Sequence, residues 1–144
     1  MNRFKALEKS EVGFRTPLDE MMRHIKFNDQ GLIPAVAQQF DTKEVLMMAW
    51  MNRDALQETL DTGRVCYWSR SRGGLWRKGE SSGQIQLLKT LALDCDGDTV
   101  LMQVDQKGPA CHTGRRSCFF YQVDGSEITV NADVLISPDE LYKK

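Results

Sequence analysis

The chain predicts an α+β fold, a mostly antiparallel β-sheet with one or two short helices. Three observations predict it. Only one segment carries strong signals for both ends of a helix: RDALQETLD, with Asn52 before it and Gly63 just past its end. After Arg64 the apolar segments are short, rich in branched and aromatic residues, and separated by glycine-bearing turns. Too few helical patterns stand between them to supply the crossovers of a parallel sheet.

Taken in order, residues 1–20 mix charges without clear periodicity and predict an N-terminal extension to a single domain spanning 21–144. Thr16-Pro17 before LDEMMRHI predicts a helix start, with Thr16 as cap and Pro17 in the first turn. HIKF (24–27), NDQG (28–31) and LIPAVAQQF (32–40) predict strand, turn and strand. EVLMMAWM (44–51) is short and apolar, and its place before Asn52 favours a strand. VCYWSRSR (65–72), IQLLKTLALD (85–94), TVLMQVD (99–105) and SCFFYQV (117–123) predict four more strands. The chain has 144 residues, enough for one core that buries roughly two-thirds of the unfolded surface without disulfide staples.

Nineteen basic against twenty acidic side chains give a net charge of −1, which argues against nucleic acid or an anionic membrane as partner. The longest apolar run, VLMMAWM (45–51), falls far short of the roughly 20 residues of a membrane span. MNRFKALEKSE has no apolar signal region, so a cytoplasmic protein is expected. There the 4 cysteines suit metal binding or catalysis better than cross-linking.

Near-neutrality conceals segregation. Residues 64–89 hold Arg64, Arg70, Arg72, Arg77, Lys78 and Lys89 against the single acid Glu80. Residues 91–105 hold Asp94, Asp96, Asp98 and Asp105 with no base, and residues 107–118 hold Lys107, Arg115 and Arg116 with no acid. The three carboxylates of Asp94-Cys95-Asp96-Gly97-Asp98 repel one another and suit a hard divalent cation such as magnesium. An EF-hand is excluded, because Thr99 stands where that loop needs glycine and Asp105 where it needs the bidentate Glu. Cys95, Cys111 and Cys118 match the ligand count of a catalytic zinc, although spacing alone leaves packing as an equal alternative. Cys66, in an alternating strand, is expected to be a bystander. The H-x-E and C-x-x-C motifs of the zinc deaminases are absent. Arg70, Arg72, Arg77 and Lys78, mixed with hydroxyls and glycines, suit phosphate oxygens, and Trp76 could stack on a base or fill the core.

GLIPAVAQ (31–38), EVLMMAWMN (44–52), SRSRGGLWRKGESSG (69–83), LDCDGD (93–98) and ACHTGRRSCF (110–119) together resemble the phosphoribosyl-AMP cyclohydrolases of histidine biosynthesis. The resemblance runs from about residue 24 to 121. It implies hydrolytic opening of the purine ring of N1-(5-phosphoribosyl)-AMP at the N1–C6 bond. It also implies an obligate intertwined homodimer, with zinc on Cys95, Cys111 and Cys118 shared between chains, and magnesium on Asp94, Asp96 and Asp98. His112 then becomes the candidate proton carrier, with a role in orienting a zinc ligand as the alternative. Arg70, Arg72, Trp76, Arg77, Lys78 and Glu80 become candidate substrate contacts. Gln84 stands where several relatives carry His or Asn and is assigned no chemistry.

Overall fold

The computed structural model describes residues 3–142. Two short helices, α1 (Arg3–Leu7) and α2 (Leu18–Met22), precede strands β1 (Ile33–Gln39) and β2 (Val45–Met51). Helix α3 (Arg53–Thr62) leads into β3 (Cys66–Ser69), β4 (Gly74–Arg77), β5 (Gln86–Leu93) and β6 (Val100–Gln106). A hairpin of β7 (Tyr121–Asp124) and β8 (Glu127–Val130) and a last turn, α4 (Pro138–Leu141), complete the described fold.

Six strands form one sheet in the order β4-β3-β2-β1-β6-β5. Every neighbouring pair is antiparallel except β1 and β6. The sheet curls on itself: the segment before β3 bonds to β5 through Val65 N to Gln86 O at 3.0 Å and Leu88 N to Gly63 O at 2.7 Å. The alternation in β1 sets the core face, with Ile33, Ala35 and Ala37 buried beside Met47, Met51, Val100, Met102 and Val104. Asn52 caps α3 by accepting from Ala55 N at 2.8 Å, and Gly63 closes the helix in the left-handed region at φ 75°. Both ends therefore form as the sequence predicts. The helix buries Ala55, Leu56 and Thr59.

Several elements differ from the sequence expectation. HIKF is not a strand. Ile25 is buried and Phe27 packs on the core, which produces the alternation, but the one ladder-like backbone bond there is Lys26 N to Gly97 O at 2.8 Å. Pro17, not Thr16, occupies the cap position of α2, while the Thr16 hydroxyl lies 3.5 Å from Glu20. Residues 117–120 are not strand, because Ser117 Oγ and Cys118 N are engaged by the carbonyls of Val45 and Leu46. The run 65–72 ends as a strand at Ser69, and the basic segment after it contributes β4. Among the described residues four short helices stand where one or two were expected. The first residues fold back: Phe4 packs on the core and lies against Gly97, and Arg3 pairs with Glu20 at 3.2 Å.

Candidate active site

Asp94, Asp96 and Asp98 occupy the turn between β5 and β6. Gly97, at φ 72°, permits the tight reversal. Asp94 organises it, with Oδ1 accepting from Asp98 N at 3.0 Å and its carbonyl accepting from Gly97 N at 3.1 Å. One carboxylate oxygen from each of the three aspartates lies within 4.8 Å of the others. At Asp94 burial is the largest single influence and opposes ionisation, but the hydrogen bonds with Asp98 and the N–H groups of Thr99 and Gly97 together outweigh it and lower the pKa. The hydrogen bond shared with Asp94, then burial and the Asp94 and Asp96 charges, raise that of Asp98. Three carboxylate oxygens this close together are a donor set that a hard divalent cation could take. Cys95 is exposed in the same turn, its sulfur 3.8 Å from Asp96, whose charge raises the thiol pKa.

Cys111 and Cys118 come together from the loop after β6. Ala110 N donates to Arg116 O at 2.9 Å and Cys111 N to Arg115 O at 3.1 Å, which folds the loop into a narrow reversal. Cys118 is half-buried, and its thiol is pushed up to about 12, first by burial and then by Cys111 beside it. The Thr113 hydroxyl donates to Cys111 Sγ at 3.1 Å. Two adjacent sulfur donors on one loop are a donor set suited to a soft or borderline cation such as zinc. Among the described residues of one protomer, Cys95 does not join this pair.

A cleft of ≈ 520 Å³ opens next to the cysteine loop, and its walls include Arg72, Trp76, Arg77, Lys78, Glu80 and His112. The cleft gathers the residues from the basic segment with the histidine that follows Cys111. Arg70 stands apart, over the Trp50 ring at 5.0 Å, in an adjoining groove of ≈ 740 Å³ that shares Trp76 with the first. Arg77 is ion-paired with Glu58 through two bonds of 2.7 and 2.8 Å. Lys78 is only 7% exposed and donates from Nζ to Ala110 O at 2.8 Å. Burial lowers its pKa, against the opposing effect of Cys118 and Cys111.

Other candidates have structural employment. Cys66 is fully buried beside Thr59, and burial pushes its thiol up to about 11. Gln84 packs against Gly108 and donates to Ser82 O at 3.1 Å. In the second basic block, Arg116 holds the carbonyls of Gln106 and Gly108, and Arg115 holds that of Ala132 while covering the Phe120 ring at 4.0 Å. Sequence reasoning missed Glu58, Trp50 and a buried Tyr67–Gln86–Gln106 chain. Only the unusual density of glutamine near β5 and β6 could have signalled that chain.

The profile of the family described as "PRA-CH: Phosphoribosyl-AMP cyclohydrolase" matches residues 47–120, just over half of the chain. Similar curated proteins carry the name phosphoribosyl-AMP cyclohydrolase. That of Hydrogenovibrio crunogenus is 60% identical over 98% of this chain and 96% of its own. That of Alkalilimnicola ehrlichii is 62% identical over 98% of this chain and 99% of its own. In Rhodospirillum rubrum the match is 65% identical over 82% of this chain and 83% of the relative.

Proposed function

The chain belongs to the phosphoribosyl-AMP cyclohydrolase family, and from that premise we propose that it opens the purine ring of N1-(5-phosphoribosyl)-AMP in the cleft beside the cysteine loop. The family defines the enzyme class, a hydrolase of a cyclic amidine C–N bond serving histidine biosynthesis. One observation carries the assignment to this cleft. It brings Arg72, Trp76 and His112 to one surface, with His112 adjoining Cys111 in sequence and Cys111 adjoining Cys118 in space. The oxygen of water ends at C6 as a carboxamide oxygen and the N1–C6 bond breaks. One water proton goes to N1, and the other to the exocyclic nitrogen of the neutral imine, or to solvent where the substrate is already the protonated amidinium. His112 is exposed at the cleft and is the group that carries a proton between the attacking water and N1. Arg72 and Arg70, both exposed, receive the two phosphates, with Arg77 and Glu80 at the cleft wall and Trp76 beside the base.

Cys111 and Cys118, with Cys95, would hold zinc, which when bound supplies the Lewis acidity that makes water a nucleophile near neutral pH. Asp94, Asp96 and Asp98 would hold magnesium. The separation of Cys95 from the other two thiols within one protomer supports a homodimer with a shared zinc site. So does the β7–β8 hairpin, whose register aligns exposed Tyr121 with Val130 and Val123 with Ile128. Four free cysteines accord with a reducing, cytoplasmic setting, and no described helix is long and apolar enough to cross a membrane.

A spectrophotometric assay with phosphoribosyl-AMP, run with and without a zinc chelator, tests this reading. Turnover that the chelator abolishes and zinc restores is expected. Absence of turnover by zinc-replete protein overturns it, and release of ammonia would mark a deaminase instead.

A further inference from the structure

Between the end of β6 and Cys111 the backbone forms no strand, yet its carbonyls are held in succession. Arg116 Nη1 donates to Gln106 O at 3.0 Å and to Gly108 O at 2.7 Å. Gln106 Nε2 donates to Lys107 O at 3.1 Å and lies 3.5 Å from Pro109 O. Lys78 Nζ takes Ala110 O, the last carbonyl before Cys111. Gln106 is itself fixed. Its Oε1 accepts from Gln86 Nε2 at 2.8 Å, and Gln86 Oε1 accepts from the Tyr67 hydroxyl at 2.7 Å. Tyr67 and Gln86 are fully buried, Gln106 is 3% exposed and Lys78 is 7% exposed.

Such a chain does not arise from core packing alone. Each buried amide and hydroxyl carries a desolvation cost unless every donor and acceptor is matched. Here the matching ends on an irregular segment whose next residue is Cys111. A lysine recruited to bind phosphate would keep its ammonium toward solvent. This one points inward, at a carbonyl, with the Trp76 ring 5.4 Å away.

We propose that Lys78 and Gln106 are positioning residues for the cysteine pair, their buried donors presetting Cys111 beside Cys118 before any metal binds. The inference rests on Cys111 and Cys118 being metal ligands. It reassigns Lys78 from substrate contact to support of the site, and gives the Tyr67–Gln86–Gln106 chain a function.

The test uses the zinc-loaded full-length enzyme with Lys78→Met and Gln106→Met, reading zinc release to a chromophoric chelator alongside kcat and KM. Loss of a residue supporting a metal ligand is expected to weaken zinc retention on the order of 10-fold. The KM for phosphoribosyl-AMP should stay within about 3-fold, because neither side chain takes part in substrate binding. A large rise in KM for Lys78→Met with zinc release unchanged would overturn the proposal and return Lys78 to the phosphate. If the wild-type enzyme retains no zinc, the metal reading fails first and the proposal falls with it. Should the variants not fold, amide exchange on the wild-type enzyme decides. The amides of Lys107, Ala110 and Cys111 are expected to stay protected after zinc is removed. Loss of their protection would show that the metal orders the loop, and would sink the idea of a preset scaffold.

Discussion

Burial raises the thiols of Cys66 and Cys118 alike, to about 11 and about 12, but their neighbours give them different roles. Cys118 faces a second thiol and the buried ammonium of Lys78, whereas Cys66 is walled in by α3 and lies near the Glu58 carboxylate. For Cys66 the folded-state value lies above the ordinary 9.0, so the native protein favours the neutral thiol more than the unfolded chain does. The resulting stabilisation is complete below about pH 9 and is lost as the pH climbs toward about 11. Thermal melts from pH 8 to 11 should therefore show an alkaline decline that is shallower in Cys66→Ala. That variant should keep its zinc content and lose about 1 kcal/mol at neutral pH. An equally steep decline in the variant would show that Cys66 is not its source. At this scale the sequence was informative about kind and uninformative about burial. The place of Cys66 in a strand was legible from the alternation around it, and the structure buries it there. The inward aim of Lys78 was not, because a charged residue in a basic run gives no sign of the one carbonyl it serves.

Elements were legible where their signals are local. Helix α3 carries its cap, its apolar face and its terminating glycine within twelve consecutive residues, 52–63, and forms with those ends. Asn52→Ala should accordingly lower stability by about 1 kcal/mol in denaturant melts, with kcat of the folded enzyme unchanged. A loss well below half of that would mean that the Asn52 to Ala55 bond adds little beyond what water supplies. The segment HIKF shows the converse. Alternation reports which side chains are buried, whereas a strand also needs a neighbouring chain to take its hydrogen bonds. Ile25 meets the first condition and the backbone around it lacks the second. The same holds at 117–120, where single bonds to the carbonyls of Val45 and Leu46 replace a ladder and hold Cys118 against the start of β2.

At the scale of the whole molecule, the segregated charges have different fates. The acidic turn holds its carboxylates together, the first basic segment lines a cleft, and in the second Arg115 and Arg116 hold carbonyls while Lys107 pairs with Asp105. That partition depends on tertiary folding and could not be read from charge counts. Among the described residues a single chain does not bring Cys95 to Cys111 and Cys118, because the acidic turn and the cysteine loop lie at opposite ends of β6. Strand β6 spans 7 residues, roughly 20 Å when extended, so a modest loop movement does not close the gap. If the proposed homodimer forms about a two-fold axis, the second copy would supply both missing thiols at once, one for each of two sites. Mixing Cys95→Ala with Cys118→Ala protein, each inactive alone, should then restore activity as chains exchange. A mixed dimer has one site with both lesions and one with neither. Random exchange makes half the dimers mixed, so recovery should approach about a quarter of the wild-type rate. Zinc content should rise with the rate, because the intact site binds metal as well as turning over substrate. If exchange is verified by mass and neither activity nor zinc returns, the thiols are not shared across the dimer, and Cys95 would then serve only the acidic turn in which it sits.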